Sequence, residues 1–276
     1  MAARRPRNLP TWTALRDPLG SGGTASVLAA RDRRSGRDVV VKVVDLAAHP
    51  GRPARFEREA RALARLGGRP GVPAVLAIGI DREGLGWLVL ERVPGPDLAT
   101  AVAAGGPMEP GAVAVLGARL AEVLAEVHAA AVVHGDVSPA NVVPADPPVL
   151  VDFGVGGVGD PEPTADGALT PAYAAPERRR GRPPDPAADV HGLGATLWFA
   201  LTGAPPGPAP GAWLHHGTLS APSVAVAEVL LTTLEHLPAQ RPDAAALARQ
   251  LAAVSAAGDR RVPPDRPGRR GRWRRR

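Results

Sequence analysis

Up to Gly95 the apolar residues come mostly in short runs with β-branched members; beyond it they come in longer stretches at helical spacing. Val27-Leu28-Ala29-Ala30, a charged turn with Ser35-Gly36, and then Val39 to Val44 predict a β-hairpin. Val72 to Val93 predicts two further strands, the second passing from Trp87-Leu88-Val89-Leu90 into Glu91-Arg92-Val93-Pro94-Gly95. Arg55 to Leu66 breaks this pattern: Phe56, Ala60, Leu63 and Leu66 recur at helical spacing with charges between them. Gly111 to Ala131, rich in Ala, Val and Leu, predicts a buried helix. Asp189 opens another apolar helix that ends near Gly203, and a last helix follows Arg241-Pro242.

Polar residues that interrupt this pattern are the candidates for chemistry. Lys42 sits inside an apolar strand, and Glu59 lies in the predicted helix that follows it. His134-Gly135-Asp136-Val137-Ser138-Pro139-Ala140-Asn141 precedes a short apolar run, Val149-Leu150-Val151, after which come Asp152-Phe153-Gly154. Phosphoryl transfer needs a carboxylate near the attacking hydroxyl and ligands that hold magnesium on the phosphates. Asp136 suits the first task, while Asn141 and Asp152 supply hard oxygens for the second. Glycines in Leu19-Gly20-Ser21-Gly22-Gly23-Thr24-Ala25-Ser26-Val27 let a backbone lie close over phosphates. In a dinucleotide-binding fold such glycines open a helix; here a hairpin follows them.

The order H-x-D-x-x-x-x-N, D-F-G and A-P-E, the last at Ala175-Pro176-Glu177, resembles the signature set of eukaryotic-like (Hanks-type) serine/threonine protein kinases. The match is to a bacterial type with His-Gly-Asp in the catalytic loop, and it runs from about Asp17 to Ala253. The resemblance implies an α+β, two-lobed fold with a small β-rich N-lobe (about 17–92) and a larger, mainly helical C-lobe (about 93–255). An N-terminal extension (1–16) and a disordered Arg-rich tail (256–276) flank this kinase domain (17–255). ATP and magnesium are the implied cofactors, with Asn141 and Asp152 on the metal and Asp136 orienting a Ser or Thr hydroxyl. Lys42 resembles the lysine on the α- and β-phosphates, fixed by Glu59. Leu19, Gly20, Ser21, Gly22, Gly23, Val27 and Val40 enclose the nucleotide by the same resemblance. Leu90 is then the gatekeeper, the backbone of Glu91 and Val93 meets adenine, Asp97 approaches the ribose, and Val143 floors the base. Asp189 resembles the aspartate that braces the catalytic-loop backbone, and Arg241 the arginine that pairs with Glu177.

Four departures from the family pattern shape the expectations. Gly135 replaces the arginine of H-R-D, so no guanidinium there meets a phosphorylated activation segment; Thr164, the expected autophosphorylation site, should change the rate little. Ser138 replaces the lysine that steadies the γ-phosphate, which predicts slower chemistry. The Pro-rich stretch between Gly203 and Ala221 is short where the family places a substrate-docking helix. Val40 stands where the family has Ala and should narrow the adenine pocket. Two rivals remain: a small-molecule phosphotransferase of the aminoglycoside or choline kinase type, which shares His-Gly-Asp, and a pseudokinase that binds nucleotide as a scaffold. The Thr170-Pro171-Ala172-Tyr173-Ala174-Ala175-Pro176-Glu177 segment favours a protein substrate over the first. Keeping Lys42, Glu59, Asp136, Asn141 and Asp152 together favours turnover over the second.

Charge adds one further feature. Of a net +6, Arg260 to Arg276 contributes +8, leaving −2 for the rest. Such a tail fits an anionic membrane surface or nonspecific contact with nucleic acid. The chain has no Cys, which excludes disulfides and Cys-ligated metals, and its longest apolar run, around Leu193 to Leu201, is too short to span a bilayer. No signal peptide is evident, so the expected location is the cytoplasm.

Overall fold

The computed structural model describes residues 6, 8–11, 13–21, 25–48, 50–153, 170–207, 211 and 221–259. Gly22, Gly23, Gly154, Thr164, the Arg260 to Arg276 tail and most of the Pro-rich stretch before Ala221 lie outside the described residues. The N-terminal lobe is a five-stranded antiparallel sheet of β1 (Thr13–Ser21), β2 (Ser26–Asp32), β3 (Asp38–Asp45), β4 (Val75–Ile80) and β5 (Leu85–Glu91). Its spatial order is β1-β2-β3-β5-β4. The first strand begins at Thr13, inside the stretch read from sequence as an extension, and Asn8 ahead of it accepts a hydrogen bond from Trp87 Nε1 at 2.8 Å.

The sheet has two different faces, because directly paired residues in an antiparallel ladder point the same way. Leu28, Ala30, Val39, Val41, Val43, Trp87 and Val89 cluster on one face, and Leu9 packs against them. The opposite face carries Val27 paired with Lys42, Ala29 paired with Val40, and Val40 paired in turn with Leu90. A strand that is apolar on both faces must be covered on both, and α1 (Arg52–Leu66) approaches β3. Phe56, Glu59, Ala62, Leu63 and Leu66 are its buried residues, while Glu57 is exposed and pairs with Arg61 at 2.6 Å. Gly67 ends the helix in the left-handed region, its N–H on the Leu63 carbonyl.

The second lobe is helical. It contains α2 (Leu98–Gly105), α3 (Pro110–Ala129), α4 (Pro176–Arg179), α5 (Pro186–Thr202), α6 (Ala221–Thr233) and α7 (Ala244–Asp259), with a small ladder of β6 (Val142–Val143) and β7 (Val149–Leu150). Helix α3 packs on α5, α6 and α7. A Cβ on its Gly117 would meet side-chain atoms of both Leu197 and Leu251 within 3 Å, so the missing side chain lets the helices close. The result is the two-lobed α+β arrangement expected from the sequence. No helix among the described residues is long and apolar enough to cross a membrane.

Candidate active site

Lys42 enters the cleft from the centre of β3 and is 9% exposed. Its Nζ donates to Glu59 Oε1 on α1 and to Asp152 Oδ1 beyond β7, each at 2.7 Å. One ammonium therefore ties the sheet, the helix and the second lobe together. Burial alone would weaken its charge, but the two carboxylates outweigh this and hold the Lys42 pKa above the ordinary lysine value. Asp152 has a backbone φ of +63°, a left-handed turn that aspartate tolerates better than most residues, and its side chain is 46% exposed.

Asp136 and Asn141 lie on the loop between α3 and β6. Asn141 Nδ2 donates to the Asp136 carbonyl at 2.9 Å and to Asp136 Oδ2 at 3.3 Å. Both partners are acceptors, so the amide nitrogen must face Asp136 and the amide oxygen faces the other way. The Val151 N–H donates to the Asn141 carbonyl at 2.9 Å, joining this loop to the residue before Asp152. Thr170 closes the other side of Asp136 with its N–H at 3.1 Å and its hydroxyl at 3.4 Å. Burial raises the Asp136 pKa above the usual aspartate value, and the Thr170 N–H offsets part of that rise.

The loop owes its shape to α5. Asp189, 1% exposed, accepts the His134 N–H at 2.8 Å, the Gly135 N–H at 2.7 Å and a hydrogen bond from His128 Nε2 at 2.9 Å. A Cβ on Gly192 would come within 2.8 Å of the Val137 carbonyl, so this glycine lets the loop backbone lie on the helix. Gly135 has φ +83°, a conformation that costs a side-chain-bearing residue roughly 1–2 kcal/mol. His134 is fully buried and works as a strut. It accepts the Asp136 N–H at Nδ1, so Nε2 carries the proton and donates to the Val151 carbonyl at 3.0 Å. Its ring also meets Phe153, centroids 4.6 Å apart.

The remaining predicted residues lie on the sheet, on the link between the lobes and in the second lobe. Leu19, Gly20 and Ser21 end β1, with Gly20 paired to Val27. Val27 and Val40 lie on the Lys42 face of the sheet, both half-buried. The Glu91 N–H is taken by the Ala74 carbonyl, and Val93 follows in the link between lobes. Val143 is buried beneath that link: a Cβ on Gly95 would stand 3.9 Å from Val143 Cγ1. Asp97 caps α2, accepting the Thr100 N–H at 2.8 Å and its hydroxyl at 3.2 Å. Arg241 meets Glu177 in a two-pronged contact of 2.6 and 2.9 Å and also donates to the Ala187 and Glu235 carbonyls. His128 and Arg178 have no place in the sequence expectations, and His134 enters them only as the first residue of the H-x-D motif, with no role of its own. Arg178 is 4% exposed, and its guanidinium donates to the Arg182 carbonyl.

The residues fit a magnesium nucleotide: the Asn141 amide oxygen and the half-exposed Asp152 are hard donors within one connected loop pair, and Lys42 offers a cation beside them. The protein kinase domain family model matches residues 14–250. A serine/threonine-protein kinase PkaA of Streptomyces coelicolor is 37% identical over 271 aligned residues, covering 87% of this chain and 49% of that protein. A serine/threonine-protein kinase PknK of Mycobacterium tuberculosis is 35% identical over 191, covering 68% of this chain and 17% of that protein. A serine/threonine-protein kinase PknB of Mycobacterium leprae is 36% identical over 212, covering 73% and 34%. The chain thus spans about half, or less, of the length of these relatives. With the fold, the cleft and these matches in agreement, the chain belongs to the protein kinase domain family.

Proposed function

We propose that the chain is an ATP-dependent protein kinase that phosphorylates serine and threonine hydroxyls, its own included. The observation that carries this reading is the shared ammonium: Lys42 holds Glu59 and Asp152 at once, with Asp136 and Asn141 on the adjoining loop. When bound, magnesium ATP supplies the phosphoryl group and a counter-charge. Asn141 and Asp152 would hold the metal, and Lys42 would meet the α- and β-phosphates. Asp136 orients the acceptor hydroxyl and draws off its proton; its raised pKa makes it a stronger base than an exposed aspartate. Glu59 keeps Lys42 aimed into the cleft. Positioning and charge stabilisation carry most of such a reaction.

The test is incubation of the purified chain with labelled ATP and magnesium, alone, with a generic protein substrate, and with an aminoglycoside or choline. Label on Ser or Thr of protein is the expected result. Label on the small molecules alone would replace the protein-kinase reading with its first rival.

A further inference from the structure

Past Thr170, the segment beside Asp136 turns tightly, with the Tyr173 N–H on the Thr170 carbonyl at 3.0 Å and the Ala174 N–H on the same oxygen at 3.2 Å. Ala172 and Pro176 of this turn form one wall of a recess of about 360 Å³, whose other walls include Arg179, His191, Leu234 and His236. Two residues of chain reach at most about 7 Å, so the recess begins close to where an acceptor hydroxyl would sit.

The chemistry of the recess is one-sided. Arg179 and His236 bring donors, and among the described residues no aspartate or glutamate lines it. Of the nearest acids, the Glu177 carboxylate is held by Arg241, and Glu235 is exposed outside the wall. Arg180 and Arg182 follow Arg179 on the exposed surface and add to the positive field. His191 also lines the recess and is 5% exposed; burial and the nearby Arg241 push its pKa down to about 4, so it adds no charge of its own. Ala, Pro and Leu walls suit the stem of a side chain whose end is charged.

Resting on the kinase reading, we infer that this recess is a substrate subsite that takes an anionic side chain, a carboxylate or a phosphate, lying within a few residues of the phosphorylated Ser or Thr. Arg179 and His236 bind the charged end, and Ala172, Pro176 and Leu234 enclose its stem. The subsite sets which acceptor is chosen and takes no part in the transfer itself.

The experiment uses the full chain, magnesium ATP and a peptide set with one Thr acceptor. Each of the three positions on either side carries Glu, Gln, Lys or phosphoserine in turn. Glu or phosphoserine at one position should raise kcat/KM about tenfold over Gln, with Lys lowest. Arg179→Gln and His236→Gln should each reduce that preference while leaving the rate on the Gln peptide unchanged; both alter surface-facing groups outside the catalytic loop. Transfer without any acidic preference, or a preference that both variants keep in full, overturns the subsite alone. Absence of transfer to every peptide and to the chain itself overturns the kinase reading and the subsite with it.

Discussion

Among the described residues, the buried ion pairs at Lys42 and at Arg241 are built differently. Lys42 is a point charge shared by two carboxylates from different elements, one of them nearly half exposed at the cleft. Arg241 is a planar fork locked onto both oxygens of Glu177, its side chain buried, with backbone carbonyls of Ala187, Glu235 and His236 taking its other three donors. A compact ammonium can exchange one oxygen ligand for another without losing its place, so it suits a site that phosphates enter and leave. A guanidinium with every donor matched has no such freedom and suits a permanent joint. The same kind of interaction thus serves turnover in one region and architecture in the other.

The comparison breaks most sharply at Lys42. Lys42→Met should lower the transfer rate by about 100-fold or more, since the charge that meets the phosphates is gone. A steady-state assay with labelled ATP checks this; activity within a few-fold of wild type would remove Lys42 from the site. Arg241→Met should give the opposite profile, a loss of about 3–5 kcal/mol in urea unfolding because Glu177 is left buried and unpaired.

Acid sharpens the Arg241 side. Burial alone would raise the Glu177 pKa, but hydrogen bonds from Arg241 bring it below the usual 4.5. A carboxyl depressed on folding stabilises the protein above its unfolded value, and that stability is lost as pH falls through the folded value. Unfolding midpoints should therefore drop below about pH 4.5, and Glu177→Gln should flatten that part of the curve. The smallest effect belongs to Gly135: Gly135→Arg, which restores the family's usual residue, should cost roughly 1–2 kcal/mol because φ is +83° there. A variant as stable as wild type would show that the loop relaxes around the new side chain.

Much of the fold was legible because local pattern and tertiary placement agree. The hairpin of β2 and β3 follows from its apolar runs, and α1 from its period, although the buried small residue is Ala62 and Ala60 is only half-buried. Helix α2 carries no signature in the sequence: it is Ala-rich with little amphipathic contrast, and the Asp97 that caps it matches the ribose position of the family pattern. The Lys42, Asp136 and Asp152 positions stood out as polar residues in or beside apolar runs. His128 did not, because its role arises only when Asp189, far along the chain, folds beneath it, and His134 was legible only as a motif position, since its contacts to the Asp136 N–H and the Val151 carbonyl need the folded loop. Arg179 and His236 gave no pattern at all, since a recess wall drawn from distant segments has no period.

Asp136→Asn tests the central claim most directly. The substitution keeps size and shape and removes the carboxylate that is to take the hydroxyl proton, while Lys42, Glu59 and Asp152 stay in place. Nucleotide binding and the unfolding midpoint of Asp136→Asn should match wild type, and phosphate transfer to Ser and Thr should fall about 100-fold or more. Near-normal autophosphorylation by this variant would contradict the account.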